Sequence, residues 1–132
     1  MIWITAYISA AIAFFALDCV WLGIVAIKLF FGRMAHLFAD KVYLAAAAGF
    51  YAIYIVCLII FAIAPAIAED AWPTAALYGA LFGFFCYATY DMTNLATLKD
   101  WPAAVSIVDI AWGTLLSGSA ATIGFLATRV FN

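Results

Sequence analysis

The sequence predicts an all-α polytopic membrane protein: a compact antiparallel four-transmembrane-helix bundle in one domain, residues 1–132. Three observations carry that expectation. Of the 132 residues, 71% are hydrophobic and 9% are charged, where a soluble domain carries roughly 25% charged residues. A chain this short has too little interior to hide so much apolar surface from water. The apolar residues also run on continuously instead of alternating, so the backbone satisfies itself in helices and not in a barrel.

A spanning helix needs about 20 residues. Four runs are long enough, near residues 3–30, 42–64, 73–95 and 102–128. The first opens on Met1-Ile2-Trp3-Ile4-Thr5, which lacks a basic region, and its apolar run is too long for a cleaved signal. The second gives way to a connection at Pro65. The third and fourth open on Trp72-Pro73 and Trp101-Pro102. Tryptophan suits the membrane interface, and proline suits a first helical turn, where its missing N–H costs nothing. Asp100 is the expected N-cap of the fourth helix. The connections, residues 31–41, 65–72 and 96–101, leave no room for a further domain.

The first connection, with its bulky apolar residues, is expected to form a short interfacial helix. His36 within it reads as an ordinary interfacial residue, because one histidine with no partner motif makes a poor metal site. Cys19, Cys57 and Cys86 stand singly in apolar runs and read as small packing residues. Lys28, Arg33 and Lys41 flank the first connection and Lys99 lies in the third. The opposite side holds Arg129, with Glu69 and Asp70 in its loop. The positive-inside rule then puts connections one and three in the cytoplasm and both termini outside.

Against this apolar background three carboxylates stand out. Asp18, Asp91 and Asp109 fall within three different expected spans. At about 1.5 Å per residue all three lie at middle to cytoplasmic-half depth. A charged carboxylate at a helix centre costs about 2.5–3.5 kcal/mol on insertion scales. With no Lys or Arg in the same layer, one or more must be protonated, hydrated or paired with a cation. Such residues are candidates for function; the competing reading is a hydrogen-bond network that holds the helices together.

Helical spacing at about 100° per residue assigns each carboxylate a face. Ser106, Gly113, Ser117, Ala120 and Gly124 share the side of Asp109, a small polar stripe that lets another helix approach and is the expected best-buried face. Ala80, Gly83, Tyr87 and Asn94 share the side of Asp91. Gly79 and Gly83 form a GxxxG match that fits internal packing or a dimer equally. Tyr7, Phe14, Trp21 and Val25 share the side of Asp18. Tyr43, Ala47, Tyr51 and Tyr54 form a stripe on the second helix, read first as aromatic packing and second as phenols donating into the acidic layer. Asp18 and Asp109 are each followed three residues later by a tryptophan, Trp21 and Trp112, on the same helix face. The echo is short and reads as chance or shared helix-entry chemistry, not as a duplicated unit.

The blocks Asp18-Cys19-Val20-Trp21-Leu22-Gly23, Tyr90-Asp91-Met92-Thr93-Asn94-Leu95-Ala96-Thr97-Leu98-Lys99-Asp100-Trp101-Pro102 and Asp109-Ile110-Ala111-Trp112-Gly113 resemble the signature blocks of the bacterial membrane proteins of domain-of-unknown-function family 2177. The resemblance covers nearly the whole chain. It implies a small four-helix protein of the bacterial inner membrane, both termini periplasmic, with no established activity. Through the fatty-acid modification enzymes often encoded nearby, it also implies a link to membrane-lipid chemistry by association alone. Small multidrug-resistance transporters share the length and a first-helix carboxylate, but have no counterpart of Asp91 and Asp109. The Pro-x-Glu motif of membrane carotenoid cyclases is not found.

Three functions are therefore expected to compete. The first is handling or modification of a membrane lipid or isoprenoid. Asp91 is its acid/base, oriented by Asn94 and Tyr87, and Asp109 and Asp18 complete the catalytic set. Tyr90, Trp21 and Trp112 join the substrate-binding residues, the indoles steadying positive charge through their ring faces. The second is a small proton-coupled transporter that works as a dimer. The third is an accessory or assembly subunit of a larger membrane enzyme, its carboxylates packing or pairing with a partner membrane protein. No cofactor and no metal is assigned; all-oxygen ligation by the three aspartates and Asn94 would suit only a hard cation. The sequence has no phosphate loop and no extended basic patch, so neither nucleotides nor nucleic acids are expected partners.

Overall fold

The computed structural model describes residues 1–25 and 43–132. The first connection, its expected interfacial helix, His36, Lys28, Arg33 and Lys41 lie outside the described residues. Of the described residues 91% are helical and none is in a strand. Helix α1 runs Ile2–Val20, and residues 21–25 continue it in wider π geometry. Helix α2, Leu44–Leu58, passes through a π turn, Ile59–Ile63, into α3, Ala64–Glu69. Helices α4, Trp72–Thr97, and α5, Ala103–Phe131, complete the order. Three segments are long and apolar enough to cross a membrane, Ile2–Val25, Leu44–Glu69 and Ala103–Phe131. Large apolar side chains line the exterior, among them Ile12, Phe15, Ile53, Phe61, Phe85 and Leu115.

The expected break at Pro65 does not occur. The chain stays helical to Glu69, and the π turn is the reason. The Ala64 N–H bonds the Ile59 carbonyl five residues back, and Pro65 then falls in the first turn of α3. A residue without an N–H is tolerated there. The helix stops instead at Asp70, which takes a left-handed conformation at φ 53°. Its N–H bonds Ile67 O at 3.2 Å and the Ala71 N–H bonds Ala66 O at 3.1 Å, closing the last turn. Asp100 is likewise not the N-cap of the next helix. It turns the chain at φ 65°, and Pro102 occupies the boundary position with no side-chain cap.

Helix α4 is the least apolar of the long helices, and three of its threonines turn their hydroxyls back onto it. Thr89 and Thr97 bond the carbonyls of Phe85 and Thr93, each at 2.7 Å, and Thr93 bonds that of Thr89 at 2.5 Å. Each hydroxyl is thereby satisfied within its own helix.

The most extensive contact in the fold joins α4 to α5, and α1 packs on α5 as well. Helix α5 consequently buries the most residues, including Ser106, Gly113, Ser117, Ala120 and Gly124, the stripe expected to face inward. Gly79 and Gly83 both face α5, so the GxxxG match serves internal packing. At Gly83 an added methyl would strike the carbonyl oxygen of Gly113 and come within 2.5 Å of the Ser117 hydroxyl. Backbone cannot yield there as a flexible side chain can. Gly83→Ala is therefore expected to lower stability by about 1–3 kcal/mol, the usual cost of overpacking. Gly49, with nothing within 4 Å of the same position, should accept alanine without loss. Thermal unfolding of both variants in mild detergent measures the contrast.

Candidate functional site

The site is built toward the turn that joins α4 to α5, from Asp91 of one helix and Asp109 of the other. Asp91, on α4, is fully buried. The chain around it is held by its own backbone: Trp101 Nε1 donates to Ser106 Oγ at 2.9 Å, and Ser106 Oγ donates to the Asp91 carbonyl at 3.0 Å. Neither carboxyl oxygen of Asp91 accepts a bond from an N–H or hydroxyl group among the described residues. The group beside it is the Asp109 carboxyl of α5, within hydrogen-bonding reach. Two carboxyls bond each other when one retains its proton and donates it.

Asp18 belongs to a second, differently built group. It accepts from the Tyr51 hydroxyl of α2 and from Trp112 Nε1 of α5, the latter at 3.4 Å. Trp112 in turn stacks on Trp21, with ring centres 4.6 Å apart and planes within 4°. The two Asp-x-x-Trp segments therefore meet in space, which their brevity in the sequence does not announce. Asp18 remains close enough to Asp109 and Tyr87 for electrostatic influence, yet its bonds go to Tyr51 and Trp112. So the three carboxylates do not form one buried cluster. Asp91 is buried; Asp18 and Asp109 are half-buried. The helical faces correctly aim all three inward, but faces alone do not say which neighbour each will meet.

Between these groups lies a cavity of about 390 Å³, lined by Phe50, Tyr54, Cys86, Tyr87, Tyr90 and Asp109. Tyr54 is anchored from behind by Ser117 Oγ at 2.5 Å. Its ring meets that of Tyr87 edge-on, 6.4 Å away at 88°, and that of Phe50 at 5.4 Å and 45°. The Tyr87 ring lies on Gly113, in space that any side chain at that position would fill. Tyr90, 58% exposed, stands at the rim and meets Trp101 edge-on at 6.0 Å.

The expected residues are thus distributed unevenly. Asp109, Tyr87 and Tyr90 line the cavity, and Asp91 sits behind Asp109. Trp21 and Trp112 belong with Asp18. Asn94 interacts with Tyr90 and does not bond Asp91, so neither it nor Tyr87 orients that carboxyl through a hydrogen bond. Asn94 lies one turn beyond Asp91 and is directed to the rim. Phe50 and Cys86 were missed as lining residues, and nothing in their spacing marks them. Tyr51 and Tyr54 were visible as a stripe of phenols. Only Tyr51 donates to a carboxylate. Among the described residues no three His, Cys, Asp or Glu side chains come together to hold a metal.

These features define a helical membrane protein with a polar centre set into an apolar bundle. Its sequence matches the family described as predicted membrane protein (DUF2177) over residues 3–126, and the chain belongs to that family. No curated protein and no solved structure matches it.

The Tyr51–Asp18 bond crosses between helices and should couple them. In a double-mutant cycle, Tyr51→Phe and Asp18→Ala are expected to show a coupling of about 0.5–1.5 kcal/mol, the net worth of a typical hydrogen bond. Chemical unfolding in detergent of the two single variants and the double variant measures it.

Proposed function

We propose that this chain is an antiparallel four-helix protein of the bacterial inner membrane that binds and handles a membrane lipid or isoprenoid in the cavity beside Asp109. The single observation that carries the reading is the lining itself: aromatic walls and one thiol around a lone carboxyl. Sites for small molecules have this character, mostly apolar with a few polar groups that fix orientation. An apolar chain would lie along Phe50, Tyr54 and Tyr87, and its polar end would reach Asp109. The Asp91–Asp109 pair would then serve as an acid–base couple able to take or return a proton at that end. Asp18 acts as a positioning residue, holding α1, α2 and α5 around the pocket.

The fourth span in this reading is α4, about 39 Å long at 1.5 Å per residue, with its threonine hydroxyls turned back onto its own carbonyls. Ile2, Asp70, Arg129 and Asn132 gather at one end of the bundle, while Lys99 lies in the turn at the other. With the basic residues of the first connection counted on the Lys99 side, both termini face the periplasm and connections one and three the cytoplasm. A phosphatase that folds only in the periplasm should be active when fused after Asn132, and a fluorescent protein that folds only in the cytoplasm should stay dark. The reverse result overturns the orientation.

A second reading, proton-coupled transport by a dimer, draws on the full burial of Asp91, since buried carboxylates mark proton pathways in membrane proteins. Lipid retention separates the two. Mass spectrometry of protein purified in mild detergent is expected to find a lipid on the wild type at least fivefold above Cys86→Phe, in which the larger ring fills the cavity. Equal retention in a variant of unchanged thermal stability would refute lipid binding at this place.

A further inference from the structure

We infer that the cavity receives an organic ammonium group, with Asp109 as its counter-ion and the rings of Phe50, Tyr54, Tyr87 and Tyr90 as its walls. The inference rests on the lipid-binding reading for the source of the ligand, and goes beyond it by naming the chemistry of the polar end.

Three observations support it. The first is the ring geometry. Tyr54 and Tyr87 meet at 88°, forming a corner, and Phe50 leans on Tyr54 at 45°. Aromatic faces carry partial negative charge and attract cations, ammonium groups above all when water is excluded. Neutral alcohols gain little from such faces. The second is the charge of the lining. Asp109 is its acid, and among the described residues no positively charged side chain joins it. Lys99 lies in the exposed turn, and Arg129 pairs with Asp70 at 3.4 Å at the far end of the bundle. The third is Asp91. It backs Asp109 with two buried oxygens that no N–H or hydroxyl group among the described residues satisfies. Two carboxyls side by side repel each other when charged, and a cation beside Asp109 offsets that repulsion.

Depth agrees with this chemistry. Asp109 lies six residues beyond Ala103, about 9 Å along α5 from its start. An ammonium group drawn in from the membrane surface reaches the carboxyl while its chain stays in the apolar layer. The same chemistry could come from a water-soluble cation, and the experiment distinguishes the two.

The test uses the full-length protein in a neutral detergent, with binding followed by calorimetry. The probes are dodecyltrimethylammonium, 1-dodecanol and tetramethylammonium. The expected result is saturable binding of dodecyltrimethylammonium, with 1-dodecanol at least tenfold weaker. Asp109→Asn should weaken the cation at least tenfold and the alcohol far less. Tyr90→Leu at the exposed rim should weaken the cation as well, and it carries the test if Asp109→Asn does not fold. If cation and alcohol bind equally and neither substitution matters, the ammonium inference is overturned and lipid binding stands. If tetramethylammonium binds as tightly as the long-chain cation, the ammonium site stands and the lipid source is overturned. If no probe binds, both are overturned.

Discussion

The structure depends on how closely α4 and α5 approach. Lipid tails are as apolar as leucine, so helices in a membrane gain little by hiding apolar surface from one another. Their cohesion comes from close packing and interhelical hydrogen bonds, and small residues make both available. Along this seam Gly79 meets Ser117 and Ala121, Gly83 meets Gly113 and Ser117, and Gly113 admits the Tyr87 ring. Backbone touches backbone at Gly83, which leaves the two helices one register. That register carries Asp91 to Ser106 and Asp109. The acidic pair is therefore set by glycines about one to three turns away.

The seam also sorts polar groups into satisfied and unsatisfied. Ser117 bonds Tyr54, Ser106 bonds both Trp101 and the Asp91 carbonyl, and Asp18 receives a phenol and an indole. Membrane proteins usually show this economy, because an unbonded polar group has no water to fall back on. The Asp91 carboxyl departs from it. Carboxylates buried in membrane spans are candidates for function for this reason. Asp18, by contrast, is explained by the helices it ties.

Much of this was legible in the residues, for identifiable reasons. Composition speaks for the solvent, so the membrane and the helical class were plain. Helical spacing speaks for direction, so the inward stripe of α5 and the inward aim of the three aspartates could be read. Neither speaks for partners. Which carboxylate meets which neighbour depends on register between helices, and that is set by glycine contacts no periodicity reveals. Local chemistry misled at two boundaries. Pro65 reads as a stop, but a π turn places it where its missing N–H is harmless. Asp100 reads as a cap, but the chain needs it as the left-handed corner that brings Trp101 to Ser106. The paired Asp-x-x-Trp segments are the reverse case, a real spatial match too short to stand out along the chain.

The division of the aspartates bears on what the site can do. A single cluster of three would be a strong hard-cation site or a strong repulsive centre. In the structure Asp18 instead accepts from two donors, Tyr51 and Trp112, beside a stacked indole pair. What remains at the cavity is one carboxyl facing inward from an aromatic corner, with a second buried behind it. In the proposed site the rings would select what approaches, and the carboxyls would respond to its charge.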